Sequence, residues 1–489
     1  MLQAIACYYC NGIGTCKRLL VNFTRSHSRY SMPHLIHAPG PATGLLGLSV
    51  ARRFSASPIK FLTDMHDEYG PIVHLRFGPQ HLILAFAPEA IQEVLVTQNK
   101  SFPKQQQNLR AVRQIDGNGL ITTEGDFWLR QRRLVQKGFS TDHLERYADI
   151  TVRRTQQLLD RWPTVGEVEI CAEMTCLTLE TIAEMMFEVD MAADARELAE
   201  QVEYLSERLV VEFGSLVPLP DWLPIESKRR KRRALRALHE MIRRVVSNRR
   251  RSGEDRGDML SMLLQAVDTE GDGGKMTDAQ VCDEITTLFV AGYDTTASGL
   301  AWTWYLLAQH PEIAEAARCE AKEVLGDCPA SLADFERLPT IRQIVLESLR
   351  LYPPAWLLML REANCDTELL GFRVPRKSWI YLVPWVTQRS PLWFADPLRF
   401  DPARFATHRL AEIPAHAYFP FGAGPHRCIG ERLALLEMTL IVAMMSRSCR
   451  FLLSAGQGPV EVEPHTAIRP RGGLRLRVEK IWGVASGWV

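Results

Sequence analysis

The stretch FPFGAGPHRCIGER, residues Phe419–Arg432, places a lone cysteine between glycine-rich turns and an apolar helical segment. Cys428 lies where the backbone N–H groups of a helix start would point at its sulfur. Such donors, together with the helix dipole, stabilise a thiolate relative to a thiol. A thiolate held in this way is either a nucleophile or a metal ligand. A protease-type nucleophile needs a partnering base, and no His/Asp pair lies nearby in the sequence.

Bulk composition narrows the class of protein. The chain has 489 residues and a formal net charge of +1, and this near-zero balance argues against nucleic-acid binding as its main role. Its 11 cysteines are scattered, which is typical of reduced thiols in an intracellular protein rather than of a disulfide framework. No run of about 18 apolar residues is present, so we expect no transmembrane anchor.

The N-terminal segment has an unusual charge pattern. No acidic residue precedes Asp64, whereas lysines and arginines are frequent there. This pattern resembles a mitochondrial transit segment, and the alternative that we favour is a basic leader of a soluble bacterial protein. We therefore expect residues 1–38 to be a basic, flexible leader, residues 39–489 to be one domain, and the protein to be cytoplasmic, with a mitochondrial location as the alternative.

The remaining pattern predicts a mainly α fold with a small β-sheet region. Ile72–Phe77 and His81–Phe86, separated by a Gly-Pro-Gln turn, predict a β-hairpin. Thr277 and Gln280 form a capping box that opens an apolar stretch ending near His310. Because soluble helices average about 11–12 residues, a helix of this length is expected to cross the whole domain.

The middle of that long helix carries AGYDTT, Ala291–Thr296. Gly292 costs about 0.5–1 kcal/mol relative to alanine inside a helix, and a threonine hydroxyl can bond to a carbonyl one turn back. These features predict a locally opened helix that lines a cavity. A core helix with a packing glycine is the alternative that the residues leave open.

A third segment, PTIRQIVLESLRLYPP, Pro339–Pro354, predicts a helix with Glu347 and Arg350 on one face. An ion pair between them is the ordinary structural interpretation. Arg404, in the later stretch FDPARF, is placed to join the pair.

Together these stretches resemble the cytochrome P-450 family of haem-thiolate monooxygenases, from about Pro39 to Val478. Each motif is weak or moderate alone, but five of them follow in the order and at the separations of the family. The cysteine loop matches at Phe421, Gly424, His426, Cys428 and Gly430, and the motif of the long helix matches at Ala291, Gly292, Asp294 and Thr295. The Glu-x-x-Arg motif matches at Glu347 and Arg350, and the Pro-x-Arg-Phe motif at Pro402, Arg404 and Phe405. The Trp-x-x-x-Arg motif matches at Trp128 and Arg132.

The resemblance implies a single haem-binding domain that holds haem b, iron protoporphyrin IX. Cys428 would be the axial thiolate ligand, which favours O–O cleavage. Phe421 and Gly430, in the same loop, would also be cofactor-binding residues. The propionate groups would be held by Trp128, Arg132, Arg361 and His426. His426 stands where the family usually has arginine, and Gln388 stands where histidine is frequent.

The same resemblance implies the reaction and the partners. One oxygen atom of O₂ would be inserted into a hydrophobic substrate, a fatty acid or a terpenoid, with Asp294 as a proton relay and Thr295 as a hydrogen-bonding hydroxyl. Electrons would come from NAD(P)H through a separate ferredoxin- or flavodoxin-type donor, since no dinucleotide-binding fingerprint follows a strand. The residues expected to form a basic docking patch for that donor are Arg130, Arg133, Lys137, Arg427 and Arg432.

The substrate pocket and two rival functions complete the expectations. Residues expected to line the pocket are Ile115–Ile121, Leu209–Trp222, Val290, Tyr293, Trp356–Met359 and Thr466–Ile468. One rival is a haem-thiolate enzyme that uses peroxide or isomerises its substrate, and the other is a non-catalytic haem sensor or carrier. The acid–alcohol pair Asp294-Thr295 favours the monooxygenase over both.

Overall fold

The computed structural model describes residues 37–43, 47–187, 201, 204–208, 223 and 225–481. The expected leader lies outside the described residues except for its last two. Helices dominate the described chain. They are α1 (Leu48–Ala56), α2 (Pro58–Tyr69), α3 (Pro88–Gln92), α4 (Leu109–Asp116), α5 (Gly125–Gln136), α6 (Thr141–Arg161), α7 (Ile170–Phe187), α8 (Glu226–Ser252), α9 (Met259–Gln265), α10 (Asp278–Gln309), α11 (Pro311–Leu325), α12 (Pro339–Leu351), α13 (Pro384–Thr387) and α14 (Glu431–Ser448).

The strands of the described chain are short and form small sheets. They are β1 (Ile72–Phe77), β2 (Gln80–Ala85), β3 (Val165–Glu169), β4 (Arg361–Glu362), β5 (Thr367–Leu369), β6 (Phe372–Val374), β7 (Trp379–Leu382), β8 (Cys449–Leu453), β9 (Val462–Glu463), β10 (Arg469–Pro470) and β11 (Arg475–Lys480). The larger sheets have the orders β1-β2-β7-β4 and β3-β11-β8. The predicted mainly α fold with a small β-sheet region is confirmed.

The predicted hairpin is confirmed as β1 and β2, which pair antiparallel from Ile72 opposite Ala85 to Phe77 opposite Gln80. Gly78, in the turn between them, has a φ of 58°, a conformation that glycine adopts without a steric penalty. β2 then pairs parallel with β7, which joins the hairpin to the C-terminal half of the chain.

The long helix α10 runs through the helical core. Its N-terminus has the predicted capping box, in which Gln280 N–H donates to Thr277 Oγ1 and the Gln280 side chain accepts from Thr277 N–H. Of the two alternatives for AGYDTT, the local opening is wrong and the packing glycine is confirmed, because α10 is a continuous α-helix through this motif. Gly292 instead permits close packing of α7, since a Cβ there would lie 3.0 Å from Ile182 Cδ1.

A buried charge network joins α12 to the loop that follows α13. Arg350 donates from Nε and Nη2 to the two carboxylate oxygens of Glu347, at 2.6 and 2.8 Å. Arg404 Nε lies 3.3 Å from the same carboxylate, and all three side chains are buried. The Asp401 N–H adds a hydrogen bond of 3.0 Å to Glu347. The predicted network is confirmed. Because its side chains are buried, removal of one partner would leave an uncompensated buried charge, which does not happen at an exposed ion pair.

No helix of the part of the chain that the structure describes is long and apolar enough to cross a membrane.

We expect Glu347→Ala to lower the free energy of unfolding by about 3–5 kcal/mol, because Arg350 and Arg404 would remain buried without their carboxylate. The measurement is urea unfolding followed by circular dichroism. Glu336→Ala is the matched control, since Glu336 pairs with Arg342 at 2.8 Å on the surface. The control should change stability by less than about 0.5 kcal/mol. Equal stability of the two variants would contradict a buried network.

Candidate functional site

The cysteine loop is shaped by close backbone contacts. Gly424 has a φ of 66°, and a Cβ at this position would lie 1.9 Å from the Leu95 carbonyl oxygen, so only glycine fits. The N–H of Cys428 donates to the carbonyl of Phe421 at 2.9 Å, which closes the loop. Helix α14 begins at Glu431 with Gly430 as its N-cap. The loop therefore holds the cysteine immediately before a helix N-terminus, as predicted.

Cys428 is exposed to solvent, yet the surrounding protein desolvates its thiol. Burial raises the pKa of this thiol, while the N–H groups of Gly430 and Glu431 and the charge of Arg132 lower it, and the net direction is upward. The backbone donors therefore favour the thiolate, as predicted, although desolvation outweighs them in the net direction. A bound metal ion would deprotonate the thiol.

Helix α5 positions two of the predicted residues beside this loop. Trp128 and Arg132 are four positions apart and therefore lie on one face of α5. Trp128 is buried, and its ring centroid lies 4.0 Å from that of His426. Arg132 is half-buried and close enough to Cys428 for the two charges to interact. Trp128, Arg132, His426 and Cys428 thus come together as expected.

Glu124, which the sequence analysis did not identify, lies at the centre of this group. Its carboxylate is 3.1 Å from His426 Nε2 and 3.7 Å from Arg361 Nη1, and it accepts from the Lys104 N–H at 2.8 Å. Although burial opposes ionisation, His426 and Lys104 together lower the pKa of Glu124 to about 2. The Lys104 ammonium donates to the Leu120 and Thr123 carbonyls, at 2.8 and 3.0 Å.

Burial changes the charge states of these cations. The pKa of Lys104 is lowered to about 7 by burial and, to a smaller extent, by Arg361, although Glu124 opposes the shift. Burial and the nearby Lys104 also lower the pKa of His426, against the effect of Glu124. The site is therefore rich in basic groups whose charge is only partly compensated. An additional anion would stabilise their protonated forms.

The residues present fit a haem group. Arg361 Nε and His426 Nδ1 are buried and have no hydrogen-bond partner within the described chain. Buried polar atoms normally have a hydrogen-bond partner, so these two nitrogens could each donate to an acceptor of a bound group. Two propionate carboxylates would supply acceptors here, and Cys428 would supply the thiolate. Four of the predicted propionate partners and the predicted metal ligand thus lie in one region.

The predicted acid–alcohol pair faces two directions from α10. Thr295 is exposed in the middle of a largely buried helix, and its hydroxyl donates to the Ala291 carbonyl at 2.8 Å. Asp294 is buried and accepts from Arg469 Nη2 at 2.6 Å and from Thr466 Oγ1 at 3.0 Å. Thr295 therefore borders open space, whereas Asp294 is fixed by the segment around β10.

Several residues expected to line the pocket belong to the core instead. Tyr293 is buried between Phe289 and α7, where its carbonyl accepts from Thr178 Oγ1 at 3.1 Å. Ile468 is fully buried, and its carbonyl accepts from Ser298 and Trp302. Leu357–Met359 are half-buried, so they remain candidates. The predicted segment Leu209–Trp222 lies outside the described residues. The rest of the pocket lining stays a prediction.

The expected basic docking patch is largely neutralised. Arg133 pairs with Asp268 at 2.7 Å, and Arg130 pairs with Asp272 at 3.0 Å. Arg427 pairs with Glu431, and Lys137 donates to the Val267 carbonyl. The acidic partners of Arg130 and Arg133 both belong to the loop Asp268–Met276, which contacts α5. These cations are therefore not a free patch.

Sequence signals for the additional residues were weak. Lys104 and Glu124 lie in loops outside any motif that we recognised, and Arg469 is one of many arginines. Lys104 and Glu124 are recognisable only by their contact with each other. That contact is formed by the tertiary structure and cannot be read from the sequence. The structure adds Lys104, Glu124, Thr466 and Arg469 to the site.

Comparisons with known proteins agree with this geometry. The cytochrome P450 family model matches residues 38–476. Cyclooctatin synthase of Streptomyces melanosporofaciens is 35% identical over 91% of this chain and 94% of its own length. Pentalenene oxygenase of Streptomyces avermitilis is 32% identical over 84% of this chain and 88% of its own length. The solved structure of the cytochrome P450DA heme domain superposes with a TM-score of 0.83 at 24% identity, and covers 91% of this chain and 98% of its own.

The structural likeness supports the fold, and the family match supports the chemistry that the loop, the buried network and α10 indicate. The family implies a haem cofactor. The chain belongs to the cytochrome P450 family and is an oxidoreductase of the monooxygenase type.

Proposed function

We propose that this protein binds haem b through Cys428 and inserts one oxygen atom of O₂ into a terpenoid substrate. The observation that carries the proposal is the position of Cys428 at the start of α14, beside buried basic groups that lack acceptors. When bound, the haem supplies O₂ activation, and its thiolate ligand favours O–O cleavage. The protein supplies the ligand, the proton donors and the pocket.

The propionate groups would be held by Trp128, Arg132, Arg361 and His426. Lys104 joins them in the proposal because its ammonium lies in the same buried cluster. Glu124 orients His426 and Arg361 before haem binds, since its carboxylate contacts both. His426 in place of the usual arginine gives a contact that is weaker when the imidazole is neutral.

Thr295 and Asp294 would manage protons on the distal side. The Thr295 hydroxyl proton bonds to the Ala291 carbonyl, while its oxygen lone pairs face open space. This oxygen can accept from a water molecule, and rotation about χ1 lets it donate instead. Asp294 would pass protons inward from the segment around β10, where Arg469 and Thr466 orient its carboxylate.

The substrate class rests on the relatives and on the pocket. The relatives reported above are named cyclooctatin synthase and pentalenene oxygenase, and a further one, 34% identical over 84% of this chain, is named cyclooctat-9-en-7-ol 5-monooxygenase. These relatives support a terpenoid-like substrate for this chain. The half-buried Leu357–Met359 segment adds apolar surface next to the sheet region.

The electron donor in the proposal is a separate ferredoxin- or flavodoxin-type protein fed by NAD(P)H. Arg432 is exposed at the start of α14, near the cysteine loop, and would be part of its docking surface. The family match over residues 38–476 supports a single domain from residue 39 onward. The proposed location is the cytoplasm, which three Streptomyces relatives more than 30% identical to this chain support.

We expect Cys428→His to retain haem but lose the long-wavelength absorption of the reduced carbon monoxide complex for which the family is named, together with oxygenase activity. The reason is that an imidazole does not donate electron density as a thiolate does. Cys319→Ser, at an exposed cysteine outside the loop, is the control and should keep both. Survival of the absorption in Cys428→His would assign the ligand to another residue.

We expect Thr295→Ala to uncouple electron use from oxygenation. Product per NAD(P)H should fall and hydrogen peroxide should rise, while haem binding and substrate binding stay normal, because only a proton-handling hydroxyl is removed. Thr296→Ala is the matched control, since Thr296 is buried about 100° further around α10. Uncoupling by Thr296→Ala and not by Thr295→Ala would show that the register of this assignment is wrong.

We expect Asp294→Asn to slow total turnover without the same rise in peroxide, because a proton relay is lost while the Thr295 hydroxyl stays in place. The measurement is the rate of NAD(P)H oxidation at saturating substrate and donor. Glu461→Gln, which removes an exposed ion pair with Arg471, is the control. Equal rates for Asp294→Asn and the control would exclude Asp294 from proton delivery.

A further inference from the structure

Three histidines converge on the outer part of the hairpin, away from the residues assigned above. His74 lies on β1 and His81 on β2, where they are diagonal neighbours on one face of the sheet. His37 is the first residue of the described body and belongs to a segment that runs alongside β1. The His74 N–H donates to the Pro39 carbonyl at 2.8 Å, which fixes this segment against the strand.

The convergence brings one ring nitrogen from each histidine into a small space. These nitrogens all lie within 4.8 Å of one another, and His74 Nε2 is 2.8 Å from His81 Nδ1. The ring centroids of His37 and His74 are 4.7 Å apart, and those of His37 and His81 are 5.4 Å apart. Nitrogens bound to a tetrahedral zinc ion at about 2.0–2.1 Å are roughly 3.3 Å apart, so small rotations of the side chains would reach that geometry.

Burial and nearby charges favour the neutral imidazoles of His74 and His81, which is the form that binds metal. Burial lowers the pKa of His74 to about 4, with contributions from His37, His81 and Arg76. Burial also lowers the pKa of His81, with contributions from His37, Arg76 and Arg373. The two arginines repel a bound dication as well, so a modest affinity is expected.

We propose that His37, His74 and His81 form a binding site for a divalent transition-metal ion, with zinc as the best match. Imidazole is a preferred ligand of zinc, copper and nickel, whereas calcium and magnesium take oxygen ligands. Three histidines leave a coordination position for water. His37 directly precedes the residues that the family model matches, and His74 and His81 lie within them.

Metal binding at this site would join the segment at residue 37 to the β1–β2 hairpin. The segment can approach closely because Gly40 lacks a side chain, since a Cβ there would lie 1.9 Å from the His74 carbonyl oxygen. A bound ion would cross-link this contact through side chains. We therefore expect zinc to stabilise the native state, because it binds the folded arrangement and not the separated histidines.

The test is calorimetric titration of the untagged, haem-loaded full chain with zinc chloride in a buffer that does not chelate metals. Because Cys7, Cys10 and Cys16 are other possible zinc ligands in the sequence, all titrations use a background in which these three are serine. We expect one equivalent to bind at micromolar zinc. X-ray absorption at the zinc edge should show imidazole scatterers and no sulfur.

Three variants separate this site from others. His74→Ala/His81→Ala should lose the equivalent, and His37→Ala, at an exposed position, should weaken binding by roughly tenfold or more. His408→Ala, at an exposed histidine elsewhere, should bind as the parent does. The haem spectrum and thermal unfolding without zinc serve as checks that each variant is folded. Absence of binding, sulfur scatterers at the zinc edge, or unchanged binding in His74→Ala/His81→Ala would overturn the proposal.

Discussion

The buried carboxylate of Glu347 is the constraint on which the cofactor region depends. Arg350 and Arg404 neutralise it, and Arg350 Nη1 also donates to the Gln388 carbonyl at 2.7 Å. The Gln388 amide group donates to the carbonyls at the end of α12 and accepts from the Phe419 N–H at 2.9 Å. Phe419 opens the cysteine loop, so one hydrogen-bonded path connects the charge network to the ligand loop. Glutamine serves here because a single amide both donates and accepts.

A second constraint is the excess of basic groups between α5, β4 and the cysteine loop. Removing cations from water is costly unless anions compensate them. Glu124 compensates part of the charge, and burial shifts Lys104 toward its neutral form. Two haem propionates would complete the compensation. Folding and cofactor binding are therefore linked at this site, since the basic groups that are costly to bury in the folded protein are the same groups that would bind the propionates.

The parts of the fold that depend on neighbouring residues were predictable from the sequence, whereas the long-range contacts of the site were not. The capping box of Thr277, the hairpin and the Glu347–Arg350 pair depend on residues close together in the chain, so spacing rules identified them. The residues around Gly292 left open both a local helix opening and a packing glycine, and the structure shows the packing glycine, because α7 packs against it. Lys104 meets Glu124 only through loop placement, and periodicity carries no information on such contacts.

The central claim is that Cys428 binds the iron of a haem held by this basic cluster. The most direct measurement is X-ray absorption at the iron edge of the purified, unmodified protein. If Cys428 is the ligand, the spectrum will show one sulfur scatterer in the first shell in addition to the porphyrin nitrogens. A first shell composed only of nitrogen and oxygen would contradict it.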